Sequence, residues 1–205
     1  MITGPAALLG GYLLGSVPFG LLIARWVAGI DVREHGSGNI GATNVYRVVG
    51  KPAGVAVWVL DVAKGCLPPV AARLLDLPVG WQVAAGMAAV LGHSCSIFLR
   101  FRGGKGAATA FGVMVGTMWQ VGLVAMVLWF PVVGLTGYVS VGTLVGAASM
   151  VGSCPFFYPG DMPRLAFAIC GAALTFWTHR SNIRRLMNGT ENRFGRRKVE
   201  ETEPK

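Results

Sequence analysis

Residues 106–160 read GAATAFGVMVGTMWQVGLVAMVLWFPVVGLTGYVSVGTLVGAASMVGSCPFFYPG, a run without one charged side chain. A helix needs roughly 20 apolar residues to cross ~30 Å of hydrocarbon, so this run holds two or three crossings. A soluble fold would have to bury it on every side, and a chain of 205 residues has too little other material for that. Residues 1–24 form a second uncharged run. It lacks a basic n-region and continues through Gly15, Ser16 and Pro18 to Arg25 and Trp26, which reads as a retained first helix rather than a cleaved leader. The composition agrees: 53% of residues are hydrophobic and 13% charged, the latter about half the share of a soluble domain. The expected class is an all-α, polytopic membrane protein.

Outward from that run, hydropathy and helix breakers give seven segments, near 5–26, 52–74, 81–99, 106–118, 120–137, 141–157 and 164–179. Only Trp119–Gln120 and the Thr136–Ser140 stretch divide the fourth to sixth, so two helices remain an alternative to three there. Thirty glycines point to close-packed and in places broken helices. One integral membrane domain over 1–195 is expected, with a polar tail at 196–205. With seven spans, one side receives Arg25, Arg33, Arg47, Lys51, Arg100, Arg102 and Lys105. The same side receives Arg180, Arg184, Arg185, Arg193, Arg196, Arg197, Lys198 and Lys205, and the other keeps Arg73 and Arg164. Positive loops stay cytoplasmic, which puts the N-terminus outside and the C-terminus in the cytoplasm. The formal charge of +9 then reads as a basic face against an anionic leaflet, with no nucleic-acid partner required. Cys66, Cys95, Cys154 and Cys170 stand singly in apolar segments, without the spacing of a disulfide frame or a metal site.

Chemistry must therefore sit in the loops and the helix ends beside them. The loop His35-Gly-Ser-Gly-Asn-Ile-Gly-Ala-Thr-Asn-Val-Tyr-Arg47 alternates glycines with short polar side chains. Gly36, Gly38 and Gly41 allow backbone N–H groups to face one anion at close range. Ser37, Asn39, Thr43 and Asn44 add neutral donors, and Arg47 adds a planar fork matched to phosphate oxygens. A polar turn between two helices has the same composition, so this loop alone does not decide. Phe101-Arg-Gly-Gly-Lys-Gly-Ala-Ala-Thr109 looks like a P-loop but has Gly106 where Ser or Thr must follow the lysine, which disfavours nucleotide hydrolysis. A glycine loop at a helix start remains, where free N–H groups and the dipole favour an anion beside Lys105. Arg100 and Arg102 read as positive-inside anchors. Thr136-Gly-Tyr-Val-Ser140 and His179-Arg-Ser-Asn182 end two further helices on the same side. Each alone is an ordinary cap, but four such clusters on one face imply one pocket. Asp61 and Lys64, a helical turn apart in an apolar segment, read as a structural ion pair. No G-x-S-x-G elbow is present, and no carboxylate stands in the glycine motifs to orient a base.

These motifs together resemble those of the bacterial acyl-phosphate:glycerol-3-phosphate acyltransferases. Gly36–Arg47 resembles the family's first motif and Leu91–Thr109 its second. Tyr138-Val-Ser140 is similar to the third, His179–Glu191 to the C-terminal signature, and Leu60-Asp-Val-Ala-Lys-Gly65 to the second helix. Two departures stand beside them: Cys95-Ser96 where Phe-Pro is usual, and Thr143 where a second serine often follows the third motif. The resemblance implies a seven-helix bundle of the bacterial inner membrane with its site on the cytoplasmic face. It implies fatty acyl transfer from acyl-phosphate to glycerol 3-phosphate, giving lysophosphatidate, with no metal and no coenzyme A. Membrane lipid and the soluble enzyme that makes acyl-phosphate are the implied partners. Carried over by position, Ser37, Arg47, Lys105, His179 and Asn182 are the expected catalytic and clamping residues. Gly38, Asn39, Gly41, Thr43, Asn44, His93, Gly103, Gly104, Gly106 and Ser140 are the expected substrate contacts. An acyl-phosphate is already activated, so positioning the glycerol hydroxyl supplies much of the acceleration, and the substrate phosphate itself is the expected proton acceptor. Broken helices and helix-end anion sites also characterise transporters, so an organic-phosphate transporter is the alternative, and a lipid-binding scaffold a third reading.

Overall fold

Pro18 offers no backbone N–H, and the first apolar segment breaks before it into α1 (Thr3–Ser16) and α2 (Phe19–Ala28). In a membrane the carbonyls freed by such a break need partners. Ser96 Oγ donates to the Ser16 carbonyl at 2.6 Å, and Lys64 Nζ to the Val17 carbonyl at 2.8 Å. Lys64 also meets Asp61 at 2.8 Å, with His93 Nδ1 3.6 Å from the same carboxylate oxygen. The expected ion pair is thus present, and it braces a broken helix as well.

The computed structural model describes residues 2–194, all helix and loop without strands among the described residues. The expected tail at 196–205, with Arg196, Arg197, Lys198 and Lys205, lies outside them. After α2, a loop and the short α3 (Ala42–Val48) lead into α4 (Lys51–Leu74). There follow α5 (Val79–Ser94), α6 (Ala107–Thr117), α7 (Trp119–Thr136), α8 (Val139–Phe157), α9 (Met162–Thr178) and the amphipathic α10 (Arg180–Met187). Residues 106–157 therefore form three helices, not two. Five units are long and apolar enough to cross a membrane: Thr3–Ala28, α4, Val79–Leu99, α7 and α8. α6 and α9 are apolar but shorter; at 11 residues α6 extends only about 16 Å. Seven apolar units thus stand where seven crossings were expected, and five reach full length.

α1 packs along α5, α4 along α6, and α7 along α8. Small residues make these approaches possible. A Cβ on Gly65 would lie 2.0 Å from the Thr109 carbonyl oxygen, and one on Gly112 2.0 Å from that of Val62, so α4 and α6 touch backbone to backbone. Val113, Met118, Met150 and Phe167 centre the main core, while large apolar side chains such as Trp26, Leu123, Phe130, Leu135 and Phe156 face outward. In water that surface would be a liability; it fits a chain surrounded by lipid. A second cluster, built on Leu21, Val32, Ile40, Val45, Val57 and Leu99, anchors the loop between α2 and α3.

Candidate active site

The loop between α2 and α3 is organised around one buried amide. The two N–H groups of Asn44 Nδ2 are shared among the carbonyls of Val32, His35 and Asn39, all at 2.9–3.1 Å, and its Oδ1 accepts from the Ser37 N–H at 2.9 Å. Asn39 Oδ1 in turn accepts from the Gly41 N–H at 2.8 Å. The Ser37 and Gly41 amides are therefore spent inside the loop, where an anion cradle was expected. What the loop delivers to the site is side chains: Ser37, Thr43 and Arg47, the last on α3 and without an ion-pair partner among the described residues.

The loop before α6 is set by His93. Gly103 and Gly104 donate their N–H groups to the carbonyls of Ser94 and His93 at 3.1 and 3.0 Å. A Cβ on Gly104 would meet His93 Nε2 at 2.2 Å, and one on Gly103 the His93 carbonyl oxygen at 2.0 Å. Both positions require glycine because the chain is pressed against His93, and neither amide is available to a ligand. Gly106 turns with φ +77° into α6, whose first turn carries no side-chain cap. Ala107 and Ala108 at that turn line the cavity, so the start of α6 presents backbone N–H groups there, where the helix dipole favours an anion. Thr178 Oγ1 donates to the Lys105 carbonyl at 3.1 Å and fixes the lysine against α9.

The third element is the end of α9 with α10 and the chain beyond. His179 Nδ1 bonds the Thr175 carbonyl at 2.8 Å, so in the neutral ring Nδ1 carries the proton and Nε2 is left as an acceptor. Asn182 accepts from Lys105 Nζ and donates to Glu191 Oε1 at 2.6 Å. Glu191 also accepts from Ser140 Oγ at 2.8 Å and from Arg185 Nε at 2.7 Å. The segment holding Glu191 returns over the α7–α8 turn, where the Phe194 N–H donates to the Gly137 carbonyl at 2.7 Å. Phe194 also packs on Tyr46 with ring centroids 4.9 Å apart.

These elements enclose a cavity of about 570 Å³. Its polar end gathers Arg47, Lys105 and Arg185 around Glu191, a local surplus of two positive charges, while the other lining carboxylate, Asp61, is paired with Lys64. Its other end is an apolar groove between α4, α6, α7 and α8, lined by Trp58, Phe111, Met114, Trp129, Ala147 and Met150. Burial, then the charges of Arg185 and Arg47, bring the Lys105 ammonium down to about 8, with Glu191 opposing. Burial and the Lys105 charge bring His179 down to about 4, so its ring is neutral at pH 7. Burial acts to raise the Glu191 carboxyl, but hydrogen bonds from Asn182, Ser140 and Arg185 hold it below its ordinary value. No group of three His, Cys, Asp or Glu side chains capable of holding a metal gathers among the described residues.

Of the expected residues, Ser37, Asn39, Gly41, Thr43, Asn44, Arg47, His93, Lys105, Gly106, Ser140, His179 and Asn182 line this cavity. Gly38, Gly103 and Gly104 do not: the Gly38 N–H is turned onto the His35 carbonyl at 3.0 Å, and the other two lie against His93. Arg185, Glu191 and the aromatic groove were not expected. Glu191 is the sole acid between Arg180 and Phe194, a signal that was readable but without a stated role.

Fold and cavity together define an integral membrane protein that sets a cationic pocket against an apolar groove. The sequence model of a family described as glycerol-3-phosphate acyltransferase matches residues 5–189. The glycerol-3-phosphate acyltransferase of Geobacter sulfurreducens is 45% identical over 186 residues, 89% of this chain and 93% of its own. That of Myxococcus xanthus is 47% identical over 195 residues, 92% of this chain and 98% of its own. Among solved structures, PlsY (YgiH), an integral membrane glycerol 3-phosphate acyltransferase, matches in its glycerol 3-phosphate form with a TM-score of 0.88 at 38% identity, covering 94% of this chain and 96% of that one. Its lysophosphatidic acid form matches at 0.85 and 37% identity, covering 94% and 95%. The chain belongs to the glycerol-3-phosphate acyltransferase family.

Proposed function

We propose that the protein transfers a fatty acyl group from acyl-phosphate to glycerol 3-phosphate, releasing 1-acyl-glycerol 3-phosphate and inorganic phosphate. The observation that carries this reading is the single cavity in which a cationic end meets an apolar groove. A water-soluble phosphate ester needs only the first, and an acyl donor needs both. A surplus of two positive charges suits a phosphate monoester, which carries about −1.5 to −2 at pH 7. Membership in an acyltransferase family favours transfer over transport of an organic phosphate.

Arg47, Lys105 and Arg185 hold phosphate oxygens, with Ser37, Thr43 and the first turn of α6 as neutral donors. The acyl chain lies along Trp58, Phe111, Trp129 and Met150. A glycerol hydroxyl oxygen bonds to the acyl carbon as the bond from that carbon to the phosphate oxygen breaks. The departing phosphate keeps the electron pair and takes up the hydroxyl proton. His179, neutral and with Nε2 free to accept, orients the hydroxyl without holding its proton. No covalent acyl-enzyme is required, because the donor is activated already and orientation supplies the remainder. The site faces the cytoplasm of a bacterial inner membrane, where both substrates are met, with the N-terminus outside.

The donor assignment is tested with purified full-length protein given acyl-phosphate or acyl-coenzyme A, with chelator present and lysophosphatidate scored by chromatography. Product from acyl-phosphate alone is expected. Efficient use of acyl-coenzyme A, with acyl-phosphate inert, overturns the assignment.

A further inference from the structure

A second groove, of about 920 Å³, opens between α2 and the chain that follows α5, and shares no lining residue with the active cavity. Arg25, Arg33, Arg100 and Arg102 line it, and every other lining side chain is apolar, among them Leu21, Leu22, Phe98 and Leu99. Arg25 and Arg33 share one carboxylate, Asp31, at 3.0 and 2.6 Å. No ion pair engages Arg100 or Arg102 among the described residues.

The turn that carries these two arginines is strained. Arg100 and Phe101 take φ values of +52° and +62°, a left-handed conformation that residues with a Cβ avoid. The Phe101 N–H donates to the Ser96 carbonyl at 2.7 Å, and Ser96 is itself tied to the α1–α2 break. Consecutive strain of this kind persists where a site demands a particular presentation of side chains. The groove also stands at the end of two membrane spans, beside the outward-facing Trp26, Ile97, Phe98 and Phe101. Aromatic side chains and arginines at a span's end mark the headgroup level of a bilayer.

We propose that this groove binds one anionic diacyl phospholipid of the surrounding leaflet. Arg100 and Arg102 present guanidinium forks to its phosphate, a geometry suited to two oxygens at once. An acyl chain lies along Leu21, Leu22 and Phe98. A free phosphate would use the arginines and leave the apolar half of the groove empty. A soluble protein partner would have to reach the side of α2, which lies in the bilayer. The bound lipid braces the segment leading to the active site, since only Gly103 and Gly104 separate Arg102 from Lys105.

Full-length protein in nanodiscs holding equal phosphatidylglycerol and phosphatidylcholine tests this by native mass spectrometry after release. One phosphatidylglycerol should stay bound, preferred over phosphatidylcholine by about tenfold or more, given the attraction of each basic side chain to anionic lipid. Arg100→Gln with Arg102→Gln should abolish the preference, the corresponding double lysine variant should keep part of it, and Lys105→Ala should leave it unchanged. Equal retention of the two lipids by the unaltered protein overturns the proposal, independently of how the variants fold. Loss of the lipid in Lys105→Ala with retention in the double glutamine variant would assign it to the active cavity instead. Displacement by millimolar glycerol phosphate as readily as by whole lipid would mean a site for water-soluble anions, and preferential retention of a soluble protein at the groove would mean a protein interface; both contradict the proposal.

Discussion

The Asn182 side-chain amide donates to Glu191 Oε1 at 2.6 Å while its carbonyl oxygen accepts from Lys105 Nζ. A carboxylate near the end of the described chain is thereby linked through one side chain to a lysine more than eighty positions earlier. Glu191 accepts from Ser140 and Arg185 as well. Glu191→Gln should lower kcat/KM for glycerol 3-phosphate by about tenfold to hundredfold, the range for losing charge-assisted hydrogen bonds. The amide also removes the one negative charge that offsets Lys105 and Arg185. Wild-type kcat/KM in a variant with unchanged thermal unfolding would mean that this carboxylate does not organise the site.

Arg47→Ala and Lys105→Ala should each cost about a hundredfold or more in kcat/KM, as expected on losing a donor that meets developing charge. Arg73→Ala is the control, since Arg73 is exposed at the far end of α4 and lines neither groove. It should change the rate less than twofold, within the range of surface substitutions, roughly 0.5 kcal/mol. Equal losses at all three positions would point to surface charge, not to the cavity.

Much of the bundle was legible from sequence because apolar runs bounded by breakers are decided locally. α4, α7 and α8 begin and end within about two residues of the expected bounds, inside the ordinary uncertainty of helix ends. Pro18 marks the break at Val17–Pro18 in the sequence, but the groups that satisfy its carbonyls, Lys64 and Ser96, come from distant segments. α3 and α10 escaped notice since both are short and partly polar. In the site, charged and amide side chains were found by type, and they do meet. Gly38, Gly103 and Gly104 do not line the cavity. Composition allowed an anion cradle, whereas the neighbour that makes Gly104 necessary, the His93 ring, is visible only in three dimensions. Glu191 depended on the chain's return to Gly137, and the partner orienting His179 is a backbone carbonyl, which no search for acidic neighbours would find.

Lys105 should set an alkaline limit. Its ammonium is brought down to about 8, so below that pH it is charged and holds phosphate, and above it the charge is lost. The kcat/KM profile, which reports ionisations of the free enzyme, should fall as pH rises through about 8. Lys105→Arg, whose guanidinium stays charged throughout, should remove that limb at a lower plateau. An alkaline limb unchanged in Lys105→Arg would assign it to another group.

The acid side separates two candidate bases. His179 is brought down to about 4, so as the base it would give a limb near that pH. A substrate phosphate has its second ionisation near about 6. The limb should therefore appear near pH ~6 and persist in His179→Gln, with a rate reduced by about tenfold for one lost hydrogen bond. A limb that disappears in His179→Gln would make the imidazole the base.

The central claim, that this cavity joins two phosphate-bearing substrates by acyl transfer, is tested most directly in sealed proteoliposomes of the purified protein. Labelled glycerol 3-phosphate and acyl-phosphate are supplied from outside, and labelled lipid, released phosphate and trapped soluble label are measured in the same sample. Labelled lysophosphatidate and inorganic phosphate should accumulate in equal amounts, with no soluble label inside. Soluble label gathering in the lumen without lipid product would contradict the account and leave a transporter in its place.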